Sequence, residues 1–181
     1  MPRITPISGK SDVAAEHHAL VDNVIKVFGG IRGPFSVLLH RPKMAQHVFG
    51  LGNYFREESI VPAKLRVLAI LVAARERQGA YVWAAQVNAA RRAGVSEETI
   101  ASIRSKAGLA KFSGEEREIV AYAEQLMRTN RVEQATFDAL KNRYGVPWLL
   151  ELTTACVYYS ALSGVVSAFE VSAPADGDRL P

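Results

Sequence analysis

The chain has 181 residues, of which 49% are hydrophobic and 22% charged, values typical of one globular domain that exclude wholesale disorder. Its 22 basic and 18 acidic residues give a net charge of +4, but the basic residues are scattered, which argues against a nucleic-acid-binding protein. Cys156 is the single cysteine, so no internal disulfide is possible, and the polar N-terminus lacks the apolar segment of a signal peptide. We therefore expect a cytoplasmic protein.

Apolar residues recur at helical spacing along the first third of the chain, and no stretch alternates like a strand of useful length. The spacing predicts a helix over 12–28 that ends at Gly29, because paired glycines interrupt helices. A short helix over 35–39 and a longer one over 43–57 follow.

A strongly apolar helix begins at Pro62, a residue that suits a first helical turn. From Val67 to Ala74 this helix is apolar all round, which predicts a place at the centre of the core. Gly79 separates it from a second helix, and Gly94 ends that second helix.

The remaining helices begin at recognisable caps or turns. Ser96 starts one helix, and the residues at 113–116, Ser-Gly-Glu-Glu, match a capping box that starts the next. A further helix covers 133–143, and the last and most apolar helix covers 147–169.

Together these elements predict an all-α protein, a compact bundle of about eight helices. We expect one helical domain over residues 12–171. The polar ends of the chain, residues 1–11 and 172–181, are predicted to be flexible tails.

The final helix carries no charge between Leu152 and Phe169, a stretch close to the length that spans a bilayer. Its many hydroxyl groups favour a buried core or interface helix over a membrane span. Ser160, Gly164 and Ala168 are small and four residues apart, so another helix backbone can approach this side. The neighbour is either a helix of the same chain or another protomer, and we favour a homo-oligomer, from dimer to hexamer.

Residues 61–103 read VPAKLRVLAILVAARERQGAYVWAAQVNAARRAGVSEETIASI. In this stretch an aliphatic helix is followed by Tyr81 and Trp83, a basic pair at 91–92, and a Gly-Val-Ser turn at 94–96 with two glutamates. This order resembles the carboxymuconolactone decarboxylase family, and later residues extend the resemblance to about two thirds of the chain. The resemblance implies an alkyl hydroperoxidase D-like helical fold.

The peroxidase branch of the resembled family uses a glutamate, two cysteines and a histidine as a proton relay. The matching positions in this chain are Val67, Gly79, Val82 and Gln86. A thiol–disulfide cycle needs a thiolate and a second sulfur, so dithiol peroxidase chemistry is not expected. Cys156 does not replace them, because it lies in an apolar helix where burial raises the pKa of a thiol.

In the decarboxylase branch, the histidine after Tyr-x-Trp suits general acid–base work, whereas Gln86 forms hydrogen bonds but exchanges no proton near neutral pH. Proton transfer must then come from elsewhere. His47 is one candidate, either as a histidine facing the central pocket of such a fold or as a surface histidine. Glu151 is another, in one stripe with Thr154 and Tyr158, either as a buried acid–base or as a glutamate that ties helices together.

Four residues are candidates for substrate binding. Arg75 ends the central helix and either holds a substrate carboxylate or forms a solvated helix end. Tyr81 and Trp83 either wall a pocket for a flat ligand or pack in the core. Tyr158 shares the stripe of Glu151.

His17 and His18 are adjacent and point in different directions on a helix, so no metal site is expected, and no cofactor-binding motif is present. We expect neither a nucleic-acid nor a membrane partner. One hypothesis is a cofactor-independent lyase (a decarboxylase) or isomerase acting on a small carboxylated or cyclic, aromatic-like compound, as in aromatic compound catabolism. The other is a non-catalytic, oligomeric binding or scaffold member of the family.

Overall fold

A computed structural model describes residues 2–112, 114–175 and 177–181, and these residues form nine α-helices and short 3-10 turns but no strand. The all-helical prediction is confirmed. The helices, in chain order, are α1 (His18–Phe28), α2 (Pro34–Leu38), α3 (Pro42–Glu57), α4 (Ala63–Glu76), α5 (Ala80–Arg92), α6 (Glu97–Arg104), α7 (Gly114–Thr129), α8 (Gln134–Tyr144) and α9 (Val146–Ala168).

The chain divides into two compact units. The first unit comprises Met1–Glu58 with Val165–Ala173, and the second comprises Ser59–Gly164 with Pro174–Pro181. The first unit contains α1 to α3, and the second contains α4 to α8 and most of α9. That residues 12–171 form a single domain stays a prediction.

The first long helix begins six residues later than the apolar spacing predicts. Asp12 accepts hydrogen bonds from the backbone N–H groups of Ser8 (2.8 Å) and Gly9 (3.1 Å), and these bonds lower the pKa of its carboxyl group. This local bonding accompanies a 3-10 turn over Lys10–Asp12, a second 3-10 turn follows over Ala15–His17, and α1 starts at His18. Gly29 ends α1 as predicted, in the left-handed conformation at φ 70°.

Three aromatic rings and one cation pack together in the first unit. Phe28 stacks on Phe35 with ring centroids 5.2 Å apart, and Phe49 meets both rings edge-on. The Arg56 guanidinium lies 4.9 Å from the centroid of Phe28.

In the second unit, α4 occupies the centre, as its all-round apolar pattern predicts. Residues from Val67 to Arg75 are all buried, and α4 packs against α5, α6 and α7. Pro62 lies one position before the helix rather than in its first turn, because its carbonyl accepts the first helical hydrogen bond, from Arg66 N (3.0 Å).

Ser96 caps α6 as predicted, since its side chain accepts a hydrogen bond from Thr99 N (3.1 Å). The capping box predicted for α7 depends on Ser113, which lies outside the described residues. α7 begins at Gly114.

Described residues of both predicted tails form specific contacts. Arg3 N donates to Phe169 O (3.0 Å) and Ile7 N donates to Ser36 O (2.8 Å), both within the first unit. In the second unit, Asp178 binds two arginines, as described below. Whether the tails are flexible stays a prediction.

Among the described residues, α9 is the one helix long and apolar enough to span a bilayer by length and composition, and 44% of that stretch is buried inside the protein. A core helix of a soluble protein has the same composition. One side of α9 is uncovered, with Leu150 at 63% exposure and Val157 at 48%. Spacings of four and three residues place these on one side, which we call the α9 stripe: Leu150, Thr154, Val157, Ala161 and Gly164.

Candidate functional site

The turn between α4 and α5 positions most of the residues that the sequence singled out. Gly79 N donates to Ala74 O (2.8 Å), and Gln78 adopts a left-handed conformation at φ 53°. Trp83 N then donates to Gly79 O (2.8 Å), which starts α5 directly after the turn. The last turn of α4 and the first turns of α5 are therefore held side by side.

At Gly79 there is no room for a side chain. A Cβ atom there would lie 2.8 Å from Ser163 Cβ on α9 and closer still to Ser163 Oγ. Ser163 is itself fixed, because its hydroxyl donates to Tyr159 O (3.0 Å) and its side chain is buried. The position that matches the first relay cysteine of the resembled family is thus filled by another helix.

The other relay positions are apolar or neutral. Val67 and Val82 are buried, whereas Gln86 is half-buried. Cys156 is completely buried, and burial raises the pKa of its thiol to about 12, which confirms the expectation for this residue. The thiol is therefore protonated and unreactive near neutral pH.

Two hydrogen-bonding groups on α5 lack acceptors or donors within the described part of the chain. Trp83 is fully buried, and its Nε1–H has no hydrogen-bond partner there. Gln86 follows three residues later, and its amide makes no hydrogen bond to a described residue. Tyr81 is half-buried at the start of the same helix. Spacing of three residues places Trp83 and Gln86 near one another on the helix surface.

Arg75 is buried and joins α4 to α6. Its Nε donates to the carbonyl oxygen of Arg104 (2.6 Å), and its Nη1 donates to Gln78 Oε1 (3.0 Å). It is therefore not a solvated helix end. A role in holding a substrate carboxylate stays a prediction, and two of its three nitrogens already have protein acceptors.

Glu151 anchors the segment that precedes α4. Its Oε2 accepts hydrogen bonds from Ser59 Oγ (2.7 Å) and Ile60 N (3.0 Å). The charge of Glu151 also acts on half-buried Arg66, whose pKa is lowered by burial against the opposing influence of Tyr159 and Glu151. Tyr158, which follows Glu151 by two helical turns, meets Tyr159 edge-on with ring centroids 5.1 Å apart. Glu151 thus ties α9 to the segment before α4 rather than to another helix, and the acid–base role stays a prediction.

His47 belongs to the first unit, on α3, whereas the other six candidates belong to the second. It is an exposed residue that lines an open cleft of about 790 Å³. The same cleft is lined by Glu16, His17 and Asn23, and His17 Nε2 lies 3.2 Å from Glu16 Oε1. Within the described residues, no group of three acidic, histidine or cysteine side chains is arranged to hold a metal ion.

Sequence reasoning assigned no site role to two charged groups in the second unit. Glu76 has a nearly buried side chain that accepts hydrogen bonds from Lys106 (3.0 Å) and Arg128 (2.9 Å). Asp178, in the predicted C-terminal tail, binds Arg91 and Arg104. These partners are 30 to 87 positions away in sequence, so helical spacing carries no signal for either group.

Comparison with known proteins supports the fold. Residues 42–125 match the sequence model of the carboxymuconolactone decarboxylase family. The sequence has no significant match among curated proteins.

Solved structures with a similar fold include three of low sequence identity. The debrominase Bmp8, as a variant in complex with 2,3,4-tribromopyrrole, has a TM-score of 0.76 at 16% identity, over 97% of this chain and 93% of that one. The alkylhydroperoxidase AhpD core of a peroxidase-related protein from Ralstonia eutropha JMP134 has a TM-score of 0.77 at 13% identity, over 96% and 95%. A candidate antioxidant defence protein AhpD from Agrobacterium tumefaciens has a TM-score of 0.66 at 15% identity, over 77% and 96%.

Proposed function

We propose that the protein is a cofactor-independent lyase (a decarboxylase) or an isomerase, because residues 42–125 match the carboxymuconolactone decarboxylase family and the fold is similar to that of AhpD-like proteins. The proposed substrate is a small carboxylated or cyclic, aromatic-like compound. The Cys-x-x-Cys chemistry of the peroxidase branch is not part of this proposal, since Gly79 and Val82 occupy the two matching positions.

The observation that carries the proposal is the buried Nε1–H of Trp83, which has no acceptor among the described residues, with the half-buried amide of Gln86 three residues further along α5. A buried N–H without an acceptor is costly, and native proteins keep few of them. Trp83 Nε1–H and the Gln86 amide both lack partners in the described structure, and both suit a carbonyl or carboxylate oxygen of a ligand. The half-buried ring of Tyr81 supplies flat apolar surface for a ring. The 2,3,4-tribromopyrrole in the complex of the Bmp8 variant is likewise a single small ring.

Proton transfer in this proposal falls to His47 or Glu151, because Gln86 exchanges no proton at useful pH. The pH–rate profiles of His47→Gln and Glu151→Gln distinguish them. The variant that lacks the acid–base should lose one limb of the profile, whereas the other should keep its shape.

The proposal is tested with the purified protein and a panel of lactones and keto acids, with products followed by mass spectrometry. We expect turnover of at least one compound. Trp83→Phe, which keeps an aromatic ring but removes the indole N–H, and Gln86→Ala should each lower kcat/KM about tenfold or more, the effect of one lost hydrogen bond to the ligand. Gln134→Ala, which removes an exposed amide on α8, is the matched control and should change nothing. Absence of both turnover and binding across the panel would contradict the proposal.

A non-catalytic binding or scaffold member is the second candidate, favoured by the contacts of Glu151. Its Oε2 is already shared by Ser59 and Ile60, and Ser163 fills the space beside Gly79. In this case, His47→Gln and Gln86→Ala should alter stability alone. A large loss of a measured activity in either variant would remove this candidate.

Both candidates include self-association, which we propose to occur through the α9 stripe. Leu150 and Val157 expose apolar surface, and Ala161 and Gly164 are small enough for a second backbone to approach. Ser160 faces elsewhere, since it accepts a hydrogen bond from Arg77 Nε (3.1 Å) within the same chain. A cytoplasmic location and the absence of nucleic-acid and membrane partners remain part of this proposal.

A further inference from the structure

We infer that Arg91 and Arg104 form a binding site for a carboxylate ligand, and that the chain's own Asp178 occupies this site as a tethered competitor. Binding alone is at issue, so the inference does not depend on the proposed reaction. All of the residues involved lie in the second unit.

Two guanidinium groups converge on one carboxylate. Arg91 donates to Asp178 from Nη1 (2.6 Å to Oδ2) and from Nη2 (3.2 Å to Oδ1), the paired geometry in which arginine holds carboxylates. Arg104 Nη2 donates to Oδ1 of the same group (2.8 Å). These bonds lower the pKa of Asp178. The geometry is therefore that of a carboxylate site with a carboxylate in it.

The charges of the site balance only while Asp178 is in place. Arg91 also holds Glu97, with 2.6 Å between Nε and Oε1 and 3.1 Å between Nη2 and Oε2, and its Nη1 reaches Asn88 Oδ1 (3.3 Å). Two arginines thus face two carboxylates. Departure of Asp178 leaves one net positive charge, which a free carboxylate neutralises.

The site offers a hydrogen-bond donor that Asp178 does not use. Arg104 Nε is buried and has no acceptor among the described residues, although Nη2 of the same guanidinium binds Asp178. The guanidinium carbon of Arg104 lies 5.8 Å from the ring centroid of Trp83. Asp178 accepts from Nη2 but not from Nε, whereas a ligand with a carboxylate and an adjacent oxygen can accept from both nitrogens.

The C-terminal segment reaches the site through a contact that only glycine allows. A Cβ at Gly177 would lie 2.7 Å from Ala84 Cβ on α5 and 3.2 Å from the carbonyl oxygen of Pro174. Ala84 has no flexible end that can move aside. Gly177→Ala should therefore lift Asp178 away from the arginines without changing any charge.

The test measures benzoate binding by isothermal titration calorimetry in the full-length protein. Asp178→Asn and Gly177→Ala should each bind benzoate about tenfold more tightly than the original protein, because a tethered competitor acts at a high effective concentration. Adding Arg104→Gln to Asp178→Asn should abolish binding. Benzamide, which keeps the ring but lacks the charge, should bind no variant.

Equal benzoate affinity in all variants, or none in any of them, overturns the inference and leaves Asp178 as a structural ion pair. Binding that survives Arg104→Gln also overturns it. If Asp178→Asn does not fold, Gly177→Ala alone decides, since it keeps every charged group. Failure of the proposed reaction leaves these outcomes unchanged, because none of them requires turnover.

Discussion

Ser163 on α9 occupies the space that a side chain at Gly79 would need. The backbone at Gly79 has φ −79°, which any residue can adopt, so the restriction on this position is purely steric. This contact fixes where the turn between α4 and α5 meets α9. It also leaves no room for a side chain at the position that matches the first relay cysteine of the resembled family.

We therefore predict that Gly79→Ala lowers the free energy of unfolding by about 1–3 kcal/mol, the usual effect of inserting a methyl group into a packed site. Ser163→Gly in the same chain should recover most of this loss, and a double-mutant cycle measured by urea denaturation quantifies the coupling. Gly50→Ala is the control, because no heavy atom lies within 4 Å of the added Cβ and helix interiors favour alanine. Equal effects of Gly79→Ala with serine or glycine at position 163 would refute the steric explanation.

Glu151 yields a prediction that separates anchoring from catalysis. Glu151→Ala leaves Ser59 Oγ and Ile60 N without their acceptor and should cost about 1–3 kcal/mol of stability. Glu151→Gln keeps an oxygen that can accept both bonds, so it should cost less. Chemical denaturation measures both values. If Glu151→Gln keeps stability but loses activity, the carboxylate moves a proton; if activity is also kept, it is an anchor.

Glu76 predicts part of the acid sensitivity of the fold. Burial tends to raise the pKa of its carboxyl group, but the hydrogen bonds and charges of Arg128 and Lys106 outweigh burial, so the pKa falls below its ordinary value of 4.5. A lowered pKa in the folded state contributes stability above pH 4.5, and this contribution is lost as the pH falls through the folded-state pKa.

The measurement compares the unfolding free energies of the original protein and of Glu76→Gln in urea titrations from about pH 7 downward. The difference in unfolding free energy should be largest near neutral pH and should shrink below pH 4.5. Glu133→Gln, at an exposed position before α8, serves as control. A difference that stays constant with pH would show that the Glu76 carboxylate contributes nothing through its charge.

The α9 stripe predicts the assembly state. Val157→Glu places a charge in the middle of the stripe and should shift the protein to a smaller particle in light scattering coupled to size exclusion. Leu109→Glu, at another exposed apolar residue outside α9, should leave the mass unchanged. A monomeric original protein would exclude self-association through this surface.

The helices could be predicted from the sequence because their signals are local. Proline, glycine and serine mark the ends of α3, α5 and α6, and the continuous apolar run of α4 indicated its central place. The start of α1 was misplaced, because Asp12 competes for backbone N–H groups through contacts that periodicity does not describe.

The candidate site was harder to predict, because its chemistry depends on contacts between distant residues. Nothing in the sequence indicates that Ser163 meets Gly79, or that Arg75 bonds the carbonyl of Arg104. The polar composition of the C-terminal residues suggested a flexible tail, yet Asp178 finds two arginines far away in sequence. Composition describes average behaviour of a segment, whereas a single well-placed carboxylate decides its contacts.

The two tryptophans give the protein an internal optical reporter. Trp83 and Trp148 are both buried, so the native emission should be shifted to shorter wavelength relative to the unfolded chain. Trp148 stacks on Tyr144 with centroids 4.1 Å apart, whereas Trp83 lies beside the Arg104 guanidinium. A Trp148→Phe variant therefore leaves Trp83 on α5 as the one tryptophan. Binding of a small molecule next to this helix should then change the intrinsic fluorescence, and no added label is needed.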